Sequence, residues 1–162
     1  MQPHPAGLCD AIFRALPLVD PEEDVLVGLP DTIWFPEDAL ARLPHGEMSF
    51  LLFPVERPEL FDAVVFDVDG LVREIQVKQP DASSPWIWGA FKMPGRILSE
   101  LQTLWNRRDR RDEYVGTLIN AWLAGGGRAR AITAGTSYVD VGTVRGYREA
   151  VALLADPGAV PA

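Results

Sequence analysis

Cysteine and long apolar runs are scarce in this sequence, and each scarcity excludes a class of protein. Cys9 is the only cysteine, which excludes a disulfide framework and a cysteine-based zinc cluster. No apolar run approaches the roughly 20 residues of a membrane-spanning helix. The N-terminus also lacks the charged and apolar regions of a secretory signal peptide. We therefore expect a cytoplasmic protein with no membrane partner.

Basic residues are also fewer than acidic ones. The chain has 15 Lys and Arg against 23 Asp and Glu, a net charge of -8. A nucleic-acid surface needs clustered basic residues. The one basic run, Arg107 to Arg111, is interrupted by Asp109 and followed by two more acids, so we interpret it as a solvated link between helices. No nucleic-acid partner is expected.

The hydrophobic pattern predicts one α/β domain over residues 1–155, followed by a tail at 156–162. With 162 residues and 48% apolar content, the chain can bury a real core. Alternating strands and helices predict layers around a mixed sheet. Predicted helices cover 8–16, 36–43, 95–105, 113–123 and 143–154. Predicted strands cover 25–29, 48–53, 63–66, 71–77, 86–91 and 128–132, and the strand at 25–29 is the best candidate for burial.

A short strand that ends in a carboxylate lies near the C-terminus. In residues 136–143 an apolar stretch leads to Asp140, Gly142 allows a turn, and Thr143 caps the following helix. Asp31 ends the earlier apolar run in a similar way. Carboxylates beside strand ends and helix N-termini commonly hold a metal-bound phosphate. Asp31 and Asp140 are therefore predicted to form one site.

Two short motifs have more than one interpretation. Asp67-Val68-Asp69-Gly70, after an apolar strand, resembles the nucleophile motif of haloacid-dehalogenase-type phosphatases, in which the first Asp attacks phosphorus. We favour a β-hairpin turn, because residues 72–78 alternate as a returning strand. Gly125-Gly126-Gly127 lacks a following Gly-Lys-Ser/Thr, so we interpret it as a helix C-cap instead of a phosphate loop.

The order of motifs is more informative than any one of them. The chain resembles the C-terminal two-thirds of a sugar nucleotidyltransferase, the family of glucose-1-phosphate thymidylyl- and uridylyltransferases. The similar stretches, in order, are Gln2, Gly7–Ile12, Val25–Asp31, Phe61–Asp67, Lys78 with Pro80, Trp88–Phe91 and Tyr138–Thr143.

This resemblance implies a three-layer Rossmann-like nucleotidyltransferase fold with a mixed sheet. It also implies transfer of a nucleotidyl group from a nucleoside triphosphate to a sugar 1-phosphate, with release of pyrophosphate. By resemblance, Mg²⁺ is the cofactor, held by Asp31 and Asp140, and Lys78 neutralises the sugar phosphate. Gln2 and the backbone at Gly7 would read the base, and Gly89 would line the sugar pocket.

The departures from the family pattern concern both substrates. The Gly-x-Gly-Thr-Arg loop that binds the triphosphate is absent, so the expected fold is N-terminally truncated. Asp62 stands where the family usually has Gly, Val77 stands where it usually has a sugar-binding Glu, and Gln79 is inserted before Pro80. A homo-oligomer or a complementing N-terminal segment is a further expected partner. The alternative is a noncatalytic remnant that binds a sugar phosphate or nucleotide, or that regulates a complete transferase.

Overall fold

Eight strands and four α-helices follow one another along residues 6–155, the part of the chain that this computed structural model describes. Gln2 and the tail at 156–162 lie outside the described residues. The helices are α1 Gly7–Phe13, α2 Gly95–Arg107, α3 Val115–Ala124 and α4 Val144–Ala155. The strands are β1 Asp24–Gly28, β2 Thr32–Phe35, β3 Met48–Pro54, β4 Asp62–Phe66, β5 Val72–Val77, β6 Trp86–Pro94, β7 Ala129–Ile132 and β8 Ser137–Asp140.

Six strands form the mixed sheet that the alternating pattern predicts. Their order is β5-β4-β6-β3-β7, and β1 pairs with the second half of β6, beyond the end of β4. Only β3 and β7 are parallel, and the other pairs are antiparallel. In strand β3, which lies between β6 and β7, the six residues 48–53 are all buried, as expected for a short, continuous apolar run.

The two faces of β3 point into two different parts of the core. Phe50 and Leu52 pack in a large cluster with side chains of α1, α2 and α3. Leu51 and Phe53 pack in a smaller cluster with side chains of β2 and β8. Because successive strand residues face opposite sides, the sheet is the middle of three layers. The third layer contains the two-stranded β2-β8 sheet and α4, which packs on β8. The predicted three-layer fold is confirmed.

Three local predictions need correction. The first strand is not fully buried: β1 pairs only with β6 among the described strands, and Leu26 is 47% exposed. The helix predicted over 36–43 is only a short 3₁₀ helix, Ala39–Arg42. Leu43 adopts an extended conformation before Pro44, as residues before proline prefer. Strand β2 was not predicted at all.

The glycine-containing motifs form the turn and the cap that the sequence predicts. Strands β4 and β5 form a hairpin, and Asp67 Oδ1 accepts hydrogen bonds from the backbone N–H groups of Asp69 and Leu71. Gly70 has a φ of 75°, which explains glycine there. Beyond the end of α3, the Gly127 N–H donates a hydrogen bond to the carbonyl of Trp122 in the last turn of the helix. None of the helices within residues 6–155 is long and apolar enough to cross a membrane.

Candidate active site

The β2-β8 ladder brings Asp31 and Asp140 together. Thr32 pairs with Asp140 in this antiparallel sheet, and the Val141 N–H donates to the Asp31 carbonyl at 2.8 Å. Asp31 therefore precedes β2 at the same edge where Asp140 ends β8. The pairing is long-range, so each carboxylate depends for its position on a strand from a distant part of the sequence.

Gly142 shows how closely the two carboxylates approach. A Cβ at this position would lie 2.9 Å from Asp31 Oδ2 and 3.0 Å from Asp140 Oδ1, so the two oxygens lie within the sum of these distances. Asp140 Oδ1 also accepts a hydrogen bond from the Gly142 N–H at 2.8 Å. Any side chain at position 142 would enter the space where the carboxylates converge.

The Asp31–Asp140 pair suits a hard divalent cation that is shared with a ligand. Asp31 is exposed and Asp140 is half-buried, so solvent and ligand oxygens can reach both. Mg²⁺ binds through one or two carboxylates and takes its other ligands from phosphate oxygens and water. Across residues 6–155, no three or more His, Cys, Asp or Glu side chains form a metal-binding group. The residues present therefore fit Mg²⁺ as a partial site that a bound phosphate would complete.

A cavity of about 230 Å³ adjoins this pair. Its wall combines four acidic side chains, one lysine, several aromatic rings and aliphatic groups. It is lined by Leu8, Leu29, Asp31, Thr32, Leu60, Phe61, Asp62, Lys78, Trp88, Glu113, Tyr114, Val115, Tyr138 and Asp140. The predicted residues Asp31, Lys78 and Asp140 are thus brought to one place.

Lys78 reaches the cavity from an unusual backbone conformation. It follows β5 with a φ of 44°, which L-residues rarely adopt, and its N–H donates to the Phe61 carbonyl at 3.0 Å. The ammonium group lies over the Tyr114 ring, 5.0 Å from its centroid. Lys78 is exposed, so its charge is available to an anion that enters the cavity.

Asp62 is an acid of the cavity wall with one buried carboxylate oxygen, Oδ1. Burial raises its pKa above the ordinary value, and the Trp88 indole and the Lys78 ammonium oppose this shift only in part. Asp62 pairs with Val77 across the β4-β5 ladder. Two of the departures from the family pattern are therefore paired, with the carboxylate on β4 opposite the valine on β5.

Tyr138 stands among the cavity acids. Burial raises the pKa of its phenol, and the charges of Asp140, Asp31 and Asp62 raise it further. A hydrogen bond with Thr32 opposes this shift only in part, so the phenol keeps its proton across the physiological pH range. Its ring meets Phe61 edge-on, with centroids 5.8 Å apart, which fixes this part of the wall.

The remaining predicted site residues lie around the cavity or outside it. At Gly89, a Cβ would come within 2.6 Å of Phe53 and 2.9 Å of Tyr138, so the glycine lets these rings pack on the sheet. The cavity wall itself is formed by the adjacent Trp88. Gly7 begins α1 with a φ of 83°, next to the lining residue Leu8. The sugar and base roles of Gly89, Gly7 and Gln2 stay predictions.

Asp67, the alternative phosphatase nucleophile, is engaged in the hairpin turn. Its side chain bonds to the turn backbone and to Arg73 and is not part of the cavity wall. Glu113 and Tyr114, by contrast, line the cavity although no sequence pattern marked them as site residues. They precede α3, and only the packing of that helix on the sheet brings them opposite Lys78.

Comparisons with solved structures identify this architecture. A protein assigned as a glucose-1-phosphate thymidylyltransferase from Bacillus anthracis, in complex with sucrose, superposes with a TM-score of 0.74 at 20% identity. The match covers 93% of this chain and 61% of that one. The chain has a sugar nucleotidyltransferase-like fold. UTP-bound UGPase from Acinetobacter baumannii matches with a TM-score of 0.70 at 21% identity, over 97% of this chain and 60% of that one.

A third structure, HddC from Yersinia pseudotuberculosis, matches with a TM-score of 0.67 at 16% identity, over 94% of this chain and 64% of that one. This chain therefore spans somewhat less than two-thirds of the length of these structures. No protein-family model and no curated protein sequence matches the chain. At these identities the likeness establishes the fold, as the order of sequence motifs predicted.

Proposed function

We propose that this chain takes part in nucleotidyl transfer from a nucleoside triphosphate to a sugar 1-phosphate, which gives a nucleotide sugar and pyrophosphate. The observation that carries the proposal is the convergence of Asp31 and Asp140 beside Gly142 at the mouth of the cavity. The shared fold supports it. The reaction would use soluble substrates in the cytoplasm.

The reaction exchanges one phosphorus–oxygen bond for another. A phosphate oxygen of the sugar 1-phosphate bonds to the α-phosphorus, and the bond from that phosphorus to the oxygen bridging the α- and β-phosphates breaks. Pyrophosphate leaves with the electron pair of that bond. Such transfers need position and charge more than a covalent nucleophile. This requirement fits a cavity with acids and a lysine but no activated nucleophile among its lining residues.

Each charged residue has a role in this proposal. Asp31 and Asp140 would hold Mg²⁺, which neutralises phosphate charge when bound. Lys78, the lysine of the wall, would hold the sugar phosphate. Gly7 and Gln2 would contribute to base recognition, and Gly89 would support the sugar pocket through the rings that pack on it. A complementing N-terminal segment or a homo-oligomer would supply the groups that hold the triphosphate.

A noncatalytic binding role is the second candidate, and the charge of the cavity favours it. The wall carries four acids, Asp31, Asp62, Glu113 and Asp140, against one lysine. A triphosphate would bring more negative charge to this acidic surface. A protein that binds a sugar phosphate or nucleotide without turnover, or that regulates a complete transferase, would need fewer positive groups.

The test is pyrophosphate release from each nucleoside triphosphate with a panel of sugar 1-phosphates, with and without Mg²⁺. We expect Mg²⁺-dependent release that falls by at least about 100-fold in Asp140→Asn, because the variant loses a charged metal ligand. Asp81→Asn, at an exposed loop position, is the matched control and should release pyrophosphate at the wild-type rate. Full activity in Asp140→Asn would refute the metal assignment, and ligand binding without release would favour the second candidate.

A further inference from the structure

Lys78, the lysine of the cavity wall, is held by an aromatic ring and not by a carboxylate. Its ammonium group lies over the Tyr114 ring, 5.0 Å from the centroid. Asp62 and Glu113 line the same cavity, but no carboxylate within residues 6–155 forms an ion pair with this lysine, and Asp62 interacts with it only at longer range. The ring is therefore the group that restrains the cation.

This kind of partner leaves the charge of the lysine available. A carboxylate at contact distance would also restrain the ammonium group, but its own negative charge would oppose the approach of an anion. A tyrosine ring attracts a cation through its quadrupole and carries no net charge. The lining residues include four acids and one lysine, so the positive side chain that a phosphate meets in this cavity is Lys78.

Helix α3 holds Tyr114 in place through two contacts with β5. A Cβ at Gly116 would lie 2.7 Å from the Cγ2 atoms of Ile75 and Val77, so glycine lets the first turn of the helix pack directly on the strand. One turn later, the Asn120 side chain donates to the Ile75 carbonyl and accepts from the Ile75 N–H, each at 2.7 Å. Tyr114 is the N-cap residue of α3, so these contacts fix its backbone relative to β5.

The backbone of Lys78 is fixed as well, so its side chain is the part that remains to be ordered. The residue directly follows Val77 at the end of β5, and its N–H donates to the Phe61 carbonyl at 3.0 Å. Its side chain is exposed, and the loss of rotamer freedom in an exposed lysine weakens any contact that it makes with a ligand. Packing on a fixed ring removes part of this cost before the ligand binds.

We propose that Tyr114 is a positioning residue, which orders Lys78 so that its ammonium group meets the phosphate of the ligand. The identity of this ligand as a sugar 1-phosphate rests on the proposed function. Tyr114 acts through Lys78 and needs no contact with the sugar. The aromatic ring carries the role, and not the phenol hydroxyl, because the cation lies over the ring.

The test is a double-mutant cycle on ligand affinity. The probes are the 1-phosphates of glucose, galactose and mannose with Mg²⁺, measured by titration calorimetry, and the cycle uses the tightest of the three. Tyr114→Leu should weaken binding by about three- to tenfold, because it removes the cation–π contact. Tyr114→Phe keeps the ring and should stay within about twofold of the wild type. In the Lys78→Met background, Tyr114→Leu should change the affinity by less than about twofold.

Two outcomes of this cycle would overturn the proposal. An equal loss from Tyr114→Leu in both backgrounds would mean that the tyrosine acts on the sugar or on the fold without Lys78. An equal loss in Tyr114→Phe and Tyr114→Leu would assign the effect to the hydroxyl. Tyr147→Leu removes an exposed tyrosine of α4 outside the cavity wall and is the matched control, which should bind as the wild type does. Thermal unfolding measures any loss of stability, which cancels from the cycle when both backgrounds share it.

Pyrophosphate release separates this proposal from the proposed function. An effect of Tyr114→Leu on binding that requires Lys78, without any release, would retain the positioning role and refute transfer. Release with equal sugar 1-phosphate affinity in the wild type and Tyr114→Leu would retain transfer and refute the positioning role. If none of the three sugar 1-phosphates binds, Lys78 holds no sugar phosphate and the proposal is wrong.

Discussion

Single glycines determine how closely the charged groups of the site can approach. Gly142 has no positive φ, so glycine is not needed there for its backbone conformation. It is needed for space, because a methyl group at this position would lie too close to the Asp31 and Asp140 carboxylates. Similarly, a methyl group at Gly89 would overlap the rings of Phe53 and Tyr138. These requirements could not be predicted from the sequence, because each depends on atoms from distant parts of the chain.

Gly142→Ala should therefore damage the site more than the fold. The added methyl group would push apart two carboxylate oxygens at 2.9 and 3.0 Å. We expect the Mg²⁺ concentration for half-maximal pyrophosphate release to rise by at least about tenfold. Because Gly142 is exposed, the free energy of unfolding should change by no more than about 0.5 kcal/mol.

Gly28→Ala is the control for this substitution. Its added methyl group would meet the Trp34 ring at 3.4 Å, an ordinary contact distance. The variant should therefore keep both its Mg²⁺ requirement and its stability. An unchanged Mg²⁺ requirement in Gly142→Ala would mean that the two carboxylates do not share an ion.

At the scale of elements, β2 and β8 assemble the site although they belong to the smaller sheet. Their ladder runs from Thr32 paired with Asp140 to Phe35 paired with Ser137, and it is separate from the six-stranded sheet. Continuous apolar runs such as 48–53 and amphipathic segments such as 95–105 were predicted correctly, because their own residues determine their burial. The four-residue β2 was missed, since its stability comes from a partner over 100 residues away.

Ile33→Pro should break this ladder and leave the main sheet folded. Proline has no N–H to donate and is not tolerated within a paired strand. We expect loss of Mg²⁺-dependent pyrophosphate release and a destabilisation of about 3 kcal/mol. The far-UV circular dichroism spectrum should stay close to that of the wild type, because the strands of the larger sheet and helices α1 to α3 do not pair with β2.

Val68→Pro provides a matched proline control. Val68 is fully exposed in the β4-β5 turn, where the Gly70 N–H donates to the Asp67 carbonyl, and proline is favoured at the second position of such turns. This variant should keep both activity and stability. Retained activity in Ile33→Pro would show that Asp31 does not need β2 to reach its position.

For the whole molecule, the sequence predicted the layers and the proximity of Asp31 to Asp140, but not the cavity beside these two residues. The mixed sheet follows from local patterns, and the Asp31–Asp140 pairing follows from the order of motifs. The cation–π contact between Lys78 and Tyr114 joins the end of β5 to the start of α3, which no local pattern encodes. The wall at Glu113 and Tyr114 depends on how α3 docks.

The molecule carries an excess of acidic side chains, with a net charge of -8. Those acids that form hydrogen bonds or ion pairs in the fold make its stability depend on pH. Asp24 connects β1 to the segment before β3: it accepts hydrogen bonds from the Gly46 N–H at 3.1 Å and from His45 at 2.6 Å. The Lys92 ammonium lies 3.8 Å from the same carboxylate. Burial alone would raise the pKa of Asp24, but these hydrogen bonds and the Lys92 charge outweigh it and hold the pKa below its usual value.

A carboxyl with a lowered folded-state pKa stabilises the fold above its unfolded-state pKa, which is about 3.9. This contribution is lost as pH falls through the lower folded-state value. At pH 6, Asp24→Asn should lower stability by about 2 kcal/mol and Tm by roughly 4–8 °C. The Tm difference from wild type should persist down to about pH 5 and close as both proteins are acidified further. Asp81→Asn should show no difference at any pH, and an Asp24→Asn gap that is undiminished in strong acid would mean that the carboxylate's charge does not contribute.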